Sequence, residues 1–438
     1  DIRGFVDNSG RFDLPLGFET SFELRLVTDD AFLQEFDYSD DDRLTSFLNI
    51  DRYRDNEFAE FRIAGFQSLR DDEPAGDIPV VLPSIRYRKT WDAGPFGGRF
   101  GVTGDVLSLV RTEGRDVLRA GGGADWRGSL TFGPGLQLEA VGDLRLDGYR
   151  ISDDVDFEED LVARAVPTGA VTLRWPFALS GQLGTHVVEP IAQLVYSDAL
   201  QSGDIPNEDS LLPELDETSL FALNRFPGED AQETGARLNL GVNYTLYSPD
   251  GWSLGFTGGQ VFRQEEGDRF SVGSGLTGVT SDFVAAVSFD LPPALEVNAS
   301  ALFAPDSLTF RRGRFDIRYS TPRLDVATGY VFLAADPQDQ TFSELPERQE
   351  YTLDARYRFA PNWELSTGLR YDLAEMRATE REAEITYGNE CVELALSVSR
   401  RLATSSNVPT STNFGFRINL TGLGSTGSAK WPAQRCAS

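Results

Sequence analysis

The sequence holds one histidine, one methionine and two cysteines among 438 residues. A hydrolytic site of the usual kind needs a nucleophile with a base beside it, and that base is most often histidine. His186 stands in Gly184-Thr-His-Val-Val-Glu-Pro190 with no Gly-x-Ser-x-Gly elbow nearby; it reads as a residue of a strand wall, and no enzyme is expected. There is no Walker loop and no GxGxxG between a strand and a helix; Gly121-Gly-Gly123 reads as a turn between strands. No cofactor and no metal site is implied. Cations are scarce too, 40 Lys and Arg against 69 Asp and Glu, and a net charge of −29 argues against a nucleic-acid partner. Cys391 and Cys436 fit neither a CxxC redox pair nor a zinc set, but they are compatible with one disulfide in an oxidising compartment such as the periplasm. No uninterrupted apolar run reaches the length of a transmembrane helix. The opening Asp-Ile-Arg-Gly-Phe has no basic segment followed by an apolar core, so the chain reads as mature or truncated.

What is present is period-two alternation from end to end. Phe18, Thr20, Phe22, Leu24 and Leu26 alternate with Glu19, Ser21, Glu23 and Arg25, and Leu136, Leu138, Ala140, Leu144 and Leu146 with Gln137, Glu139, Asp143 and Arg145. The pattern recurs at Leu238 to Leu246, Tyr351 to Phe359, Trp363 to Tyr371, Val392 to Val398 and Phe414 to Leu420. Segments of about ten residues with one apolar and one polar face, separated by turn residues, are the mark of an all-β fold, a large transmembrane antiparallel β-barrel with lipid outside and water inside. Soluble sandwiches would need linkers or composition shifts between them, and none is visible. At about 17 residues per strand with its connection, the chain would make about 26 strands around a lumen too wide for side chains to fill.

Connections divide into short turns, such as Tyr247-Ser-Pro-Asp-Gly-Trp252 and Phe359-Ala-Pro-Asn-Trp363, and long acidic ones, Tyr149 to Asp160 and Asp198 to Glu217. The short ones read as periplasmic and the long ones as extracellular. The stretch carrying Asp198, Asp204, Asp209 and Asp216 is expected to fold over the lumen, since a wide lumen needs occlusion; its acid spacing matches no EF-hand loop. With an even strand number, both termini face the periplasm. That places Cys391, in the turn before Val392, and Cys436, beyond the last strand, on the same side.

Several segments, in order, resemble the barrel domain of the LptD family of lipopolysaccharide-assembly proteins. They are Val27-Thr-Asp-Asp-Ala-Phe-Leu33, Asp42-Arg-Leu-Thr-Ser46, Phe66-Gln-Ser-Leu-Arg70, Ile78-Pro-Val-Val-Leu-Pro83 and Val188-Glu-Pro-Ile-Ala-Gln-Leu194. The most specific is Asp216-Glu-Thr-Ser-Leu-Phe-Ala-Leu-Asn-Arg-Phe-Pro-Gly-Glu-Asp230; Tyr387-Gly-Asn-Glu-Cys391, Arg400-Arg401 and Phe414 to Gly424 follow. The resemblance implies an integral protein of the cell outer membrane that translocates lipopolysaccharide and inserts it into the outer leaflet, partnered by membrane lipid, a plugging lipoprotein, LptE, and a periplasmic Lpt bridge. It implies a barrel over residues 1–424, a periplasmic tail over 425–438, and an N-terminal periplasmic β-jellyroll for which this chain has no room. It also implies a lateral gate between first and last strands, here Leu14, Pro15, Leu16 and Phe18 against Phe414, Phe416 and Ile418, with Pro15 resembling a gate proline. The family's adjacent cysteines near the C-terminus are not matched, so a Cys391–Cys436 bond and bonds to the absent domain both stay open. A general diffusion porin or another outer-membrane transport barrel is the alternative. Against it, the chain runs on past its last strand to Arg-Cys-Ala-Ser438 rather than ending on an aromatic residue, and no globular plug precedes the first strand.

Overall fold

The computed structural model describes residues 3–420 apart from 37, 40, 71–72, 95–96, 155–160, 211–212, 267–268, 336–345, 390–391 and 403–409. Every long element is a strand. In chain order these are β1 Phe5–Leu14, β2 Phe18–Val27, β3 Arg43–Arg54, β4 Glu57–Ser68, β5 Val80–Asp92, β6 Arg99–Val110, β7 Asp116–Phe132 and β8 Leu136–Ser152. Then come β9 Leu161–Arg174, β10 Phe177–Gly181, β11 Gly184–Ser197, β12 Leu200–Gln201, β13 Gly235–Tyr247, β14 Ser253–Arg263, β15 Phe283–Leu291 and β16 Leu295–Phe303. The rest are β17 Phe310–Ser320, β18 Leu324–Leu333, β19 Arg348–Ala360, β20 Trp363–Asp372, β21 Arg377–Gly388, β22 Val392–Arg401 and β23 Ser411–Leu420. All 23 belong to one sheet, and each wall strand pairs antiparallel with its sequence neighbours.

β9 and β10 are one wall strand interrupted at Trp175-Pro176, because β11 pairs with both. Pro176 has no backbone N–H to give to the ladder. β12 likewise continues β11 along β9. The wall therefore has 21 strands among the described residues, fewer than the expected 26 and odd in number. The shortfall comes from strands of up to 17 residues and from long insertions, residues 202–234 and 264–282, that consume chain without adding wall. Two further expectations are corrected. Gly121-Gly-Gly123 lies inside β7, facing β6 and β8, not in a turn. The expected gate residues Leu14, Pro15, Leu16 and Phe18 do not share one strand but make a hairpin: Leu14 ends β1, Pro15 and Leu16 form the turn, and Phe18 opens β2.

The connections at one end are all short, of two to six residues; the insertions sit at the other end, beside three short connections, 111–115, 304–309 and 373–376. β1 and β23 both run towards the short-turn end, so they are parallel to each other in sense, and no ladder joins them among the described residues.

The burial pattern is inverted relative to a soluble protein. On β8, Leu144 and Leu146 face outward and are exposed, while Asp147 and Tyr149 face inward and are buried. On β11, Leu194 and Tyr196 are exposed and Gln193 is buried. Exposed apolar side chains with buried ionic ones are stable only where the outer solvent is hydrocarbon. Tyr53, Trp91, Phe132, Phe177, Tyr247, Phe359 and Trp363 stand exposed at or near the short-turn end, where an aromatic girdle meets the membrane interface. His186 lies on the face of Val188 and Leu194, with Nδ1 2.8 Å from the Tyr244 hydroxyl, as a wall residue.

Candidate functional site: a lumen segment held by two ionic clusters

Residues 202–234 leave the long-connection end and turn back into the lumen. Their apolar side chains Leu215, Leu220, Phe226 and Ala231 are buried together with Val261 of β14, Val284 of β15, Leu302 of β16, and Phe270 and Leu276 of the 264–282 insertion. Phe226 stacks on Phe270 with centroids 4.7 Å apart. Leu220 seats in a notch where Gly241 of β13 stands opposite Gly259 of β14. A Cβ at Gly259 would lie 2.4 Å from Leu220 Cδ2, so this approach requires glycine.

Charges fix the segment at two places. On one side Glu233 accepts from Arg225 Nη1 at 2.8 Å and from Arg263 Nη2 at 2.7 Å, with Arg237 Nε 3.7 Å away; all four side chains are at most 5% exposed. Arg225 also donates to Asn239 Oδ1 at 3.1 Å, and Arg237 to the Leu223 carbonyl. Burial pushes the Glu233 carboxyl up, but the three guanidiniums outweigh it and hold it below the ordinary glutamate range.

On the other side Arg119 of β7 donates to Asp209 at 2.8 Å and to Asp230 at 2.6 Å. Arg164 of β9 donates to Asp147 at 2.6 Å, to the Tyr149 hydroxyl at 2.9 Å and to the Glu229 carbonyl at 2.6 Å. Glu208 accepts from Arg111 at 2.6 Å and from Arg115 at 2.8 Å. Asp209 accepts the backbone N–H groups of Glu229 and Asp230 at 3.0 Å, closing a tight turn at Gly228, whose φ is +74°. A Cβ there would strike Asp209 Cγ at 2.3 Å. Burial raises both aspartates; Arg119 and the backbone donors bring Asp209 below its ordinary value, whereas Asp230, next to Asp209, stays above.

Of the four acids expected to cap the lumen, Asp209 is thus an anchor. Asp216 accepts the N–H of Thr218 at 2.9 Å and of Ser219 at 2.6 Å, shaping the turn before Leu220. Asp198 caps the end of β11 through the Ala199 N–H at 2.8 Å, and Asp204 is exposed. The basic partners Arg119, Arg164, Arg225, Arg237 and Arg263 went unrecognised in the sequence. Their signal was an arginine on the polar face of an alternating strand, or within Asn224-Arg-Phe-Pro-Gly228.

The segment divides the lumen. Below Glu217, Thr218 and Phe221 lies a cavity of about 1200 Å³ walled by polar residues such as Glu189, Asn243, Asn298 and Asp354. On the Arg119 side lies a second, of about 830 Å³. The expected gate residues are not brought together. Leu14 ends an edge strand, Pro15 and Leu16 lie in a turn, and Phe18 sits under Arg52 on a strand paired on both sides. Phe414, Phe416 and Ile418 point outward on the other edge, Phe414 being 83% exposed. Cys391, Cys436 and the tail 425–438 lie outside the described residues.

Comparisons with known proteins agree with this architecture. The family model described as LptD, LPS transport system D, matches residues 1–363. An LPS-assembly protein LptD from Hahella chejuensis is 24% identical over 305 residues, covering 64% of this chain and 37% of that protein. Its counterpart from Vibrio cholerae is 22% identical over 267 residues, covering 55% and 34%. The chain spans about a third of the length of these curated relatives. The siderophore receptor PirA from Pseudomonas aeruginosa superposes with a TM-score of 0.43 at 10% identity, over 87% of this chain and 71% of that one, too loosely to carry an argument. With a family match over most of its length, the chain belongs to the LptD family.

Proposed function

We propose that this chain forms the outer-membrane wall through which lipopolysaccharide is translocated and inserted into the outer leaflet. The supporting observation is an inside-out strand wall whose lumen is divided by the segment that most resembles the family, pinned in place by Arg119 and Glu233. The chemistry is transport without covalent steps: sugars travel along the polar lumen while acyl chains leave sideways. The lateral exit is assigned to the seam between the edges β1 and β23, where, among the described residues, backbone donors and acceptors lack a strand partner and separation breaks no ladder. The roughly 1200 Å³ cavity, lined from the short-turn halves of its strands by residues such as Glu189, Asn243 and Asn298, is the place for a plugging lipoprotein, LptE, entering from the periplasm. Lipid arrives from the periplasmic Lpt bridge.

The test is complementation of a strain depleted of its own copy with the full-length gene, scoring lipopolysaccharide at the cell surface with an impermeant label. Restored surface labelling supports the reading. A protein that leaves labelling absent, yet conducts steadily in planar bilayers with the lipoprotein bound, is a diffusion channel and overturns it.

A further inference from the structure

The outer face of the wall carries a cation pair that the lumen does not use. β21 and β22 are in register with Arg381 directly opposite Arg400, and Arg400 in turn faces Thr412 of the edge strand β23. Alternation places both on the lipid side, Arg381 in line with Ala383 and Ile385, and Arg400 with Val398 and Leu396. Their neighbours Glu380, Glu384 and Arg401 point the other way and pair within the lumen, Arg401 with Glu380 at 2.9 Å and Arg417 with Glu384 at 3.0 Å. Arg381 and Arg400 are both exposed, and among the described residues no carboxylate pairs with either.

Two like charges directly opposite on one sheet face repel, with Cβ atoms about 5 Å apart. The connection from β22 to β23 does not relieve this: residues 402–410 read Leu-Ala-Thr-Ser-Ser-Asn-Val-Pro-Thr, without one acid, in a chain of net charge −29, and Glu375 of the connection into β21 pairs with neither arginine among the described residues. Below the pair runs an apolar column, Val398 opposite Phe414 and Leu396 opposite Phe416, along the unpaired edge of the wall. A fork of two guanidiniums above an apolar column matches one kind of ligand, an anion with attached hydrocarbon.

We propose that Arg381 and Arg400 jointly bind the phosphate of a phosphorylated lipid lying against the outside of the wall beside β23, with its acyl chains on Val398, Leu396, Phe414 and Phe416. The site rests on the outward orientation of the long connections adopted above. It adds to the lumen route a place where lipid is held after it has left. The phosphate bridges the two arginines and removes their repulsion, and the apolar column selects a lipid over a free anion.

The experiment uses the full-length protein in mild detergent and native mass spectrometry, with bis-phosphorylated lipid A, dephosphorylated lipid A and inorganic phosphate as probes. The Arg381→Gln/Arg400→Gln double variant should retain bis-phosphorylated lipid A more than about tenfold less than the parent, as for loss of charge-assisted hydrogen bonds. Dephosphorylated lipid A should bind weakly to both. The Arg381→Lys/Arg400→Lys variant, keeping the charge, should hold most of the retention. Arg150→Gln, removing an outward arginine on β8 opposite Leu118 and Leu161, should change nothing. Equal retention by the double glutamine variant overturns the site, and an equal loss with Arg150→Gln reduces it to general rim charge. Displacement of the lipid by equimolar inorganic phosphate makes it a free-anion site and overturns the lipid assignment. Because the readout is binding, failure of the complementation test would sink the translocation reading while leaving this result standing.

Discussion

Among the described residues Glu233 is the one acid paired with the three buried arginines, so its removal would leave like charges in a dry environment with carbonyls and Asn239 as their remaining hydrogen-bond partners there. Breaking such a pair by deleting one partner typically costs about 3–5 kcal/mol. Glu233→Gln is therefore expected to free residues 202–234 from β13 and β14, seen as faster protease cleavage there with the wall still intact by circular dichroism. Acid acts on the same groups, with a sign that differs between them. Glu233 and Asp209 titrate below their ordinary values of 4.5 and 3.8, so their contribution is full above those values and is lost as pH falls through the lower folded ones. Asp230 and Glu229 are raised, chiefly by burial, so protonating them as pH falls favours the folded form. The segment should stay protease-resistant from pH 7 to 5 and loosen only below about pH 4; cleavage appearing by pH 5.5 would show that the anchors are placed wrongly.

At the scale of elements, the inward segment and the wall are matched through the Gly241–Gly259 notch. Gly259→Val would fill the space that Leu220 occupies, an overpacking worth about 1–3 kcal/mol. Lower melting of the segment's protection, with strand content unchanged, is the expected result. Deleting residues 205–232 joins the two cavities, so single-channel conductance and sensitivity to large antibiotics should both rise; unchanged permeability would mean that something else closes the lumen. The opening hairpin shows a limit of pattern reading. Pro15-Leu-Gly17 announces a turn, and Leu16 and Gly17 take positive φ there, yet apolar-polar alternation on both sides of it continues as if a strand ran through. Period two reports which face a residue takes and is blind to a reversal of direction.

For the whole molecule, the proposed lipid exit lies between the edges β1 and β23. With Cys391 and Cys436 replaced by serine, cysteines at Phe12 and Phe416 should crosslink across the seam and stop lipopolysaccharide from reaching the surface. Continued delivery by the crosslinked protein would exclude that exit. The sequence by itself determined the strand wall and its two faces, because alternation is set by backbone geometry and by the solvent on each side, both local to every residue. It also placed the short turns, through Pro, Gly and Asn, and marked residues 216–230 as special. Only the tertiary structure decided how many strands the chain makes, that residues 202–234 enter the lumen, and which arginines meet Glu233, Asp209 and Asp230. Arg119 and Asp230 lie 111 positions apart in the chain. Their meeting depends on how far the sheet curls and on which long connection turns inward, and no local pattern carries either quantity.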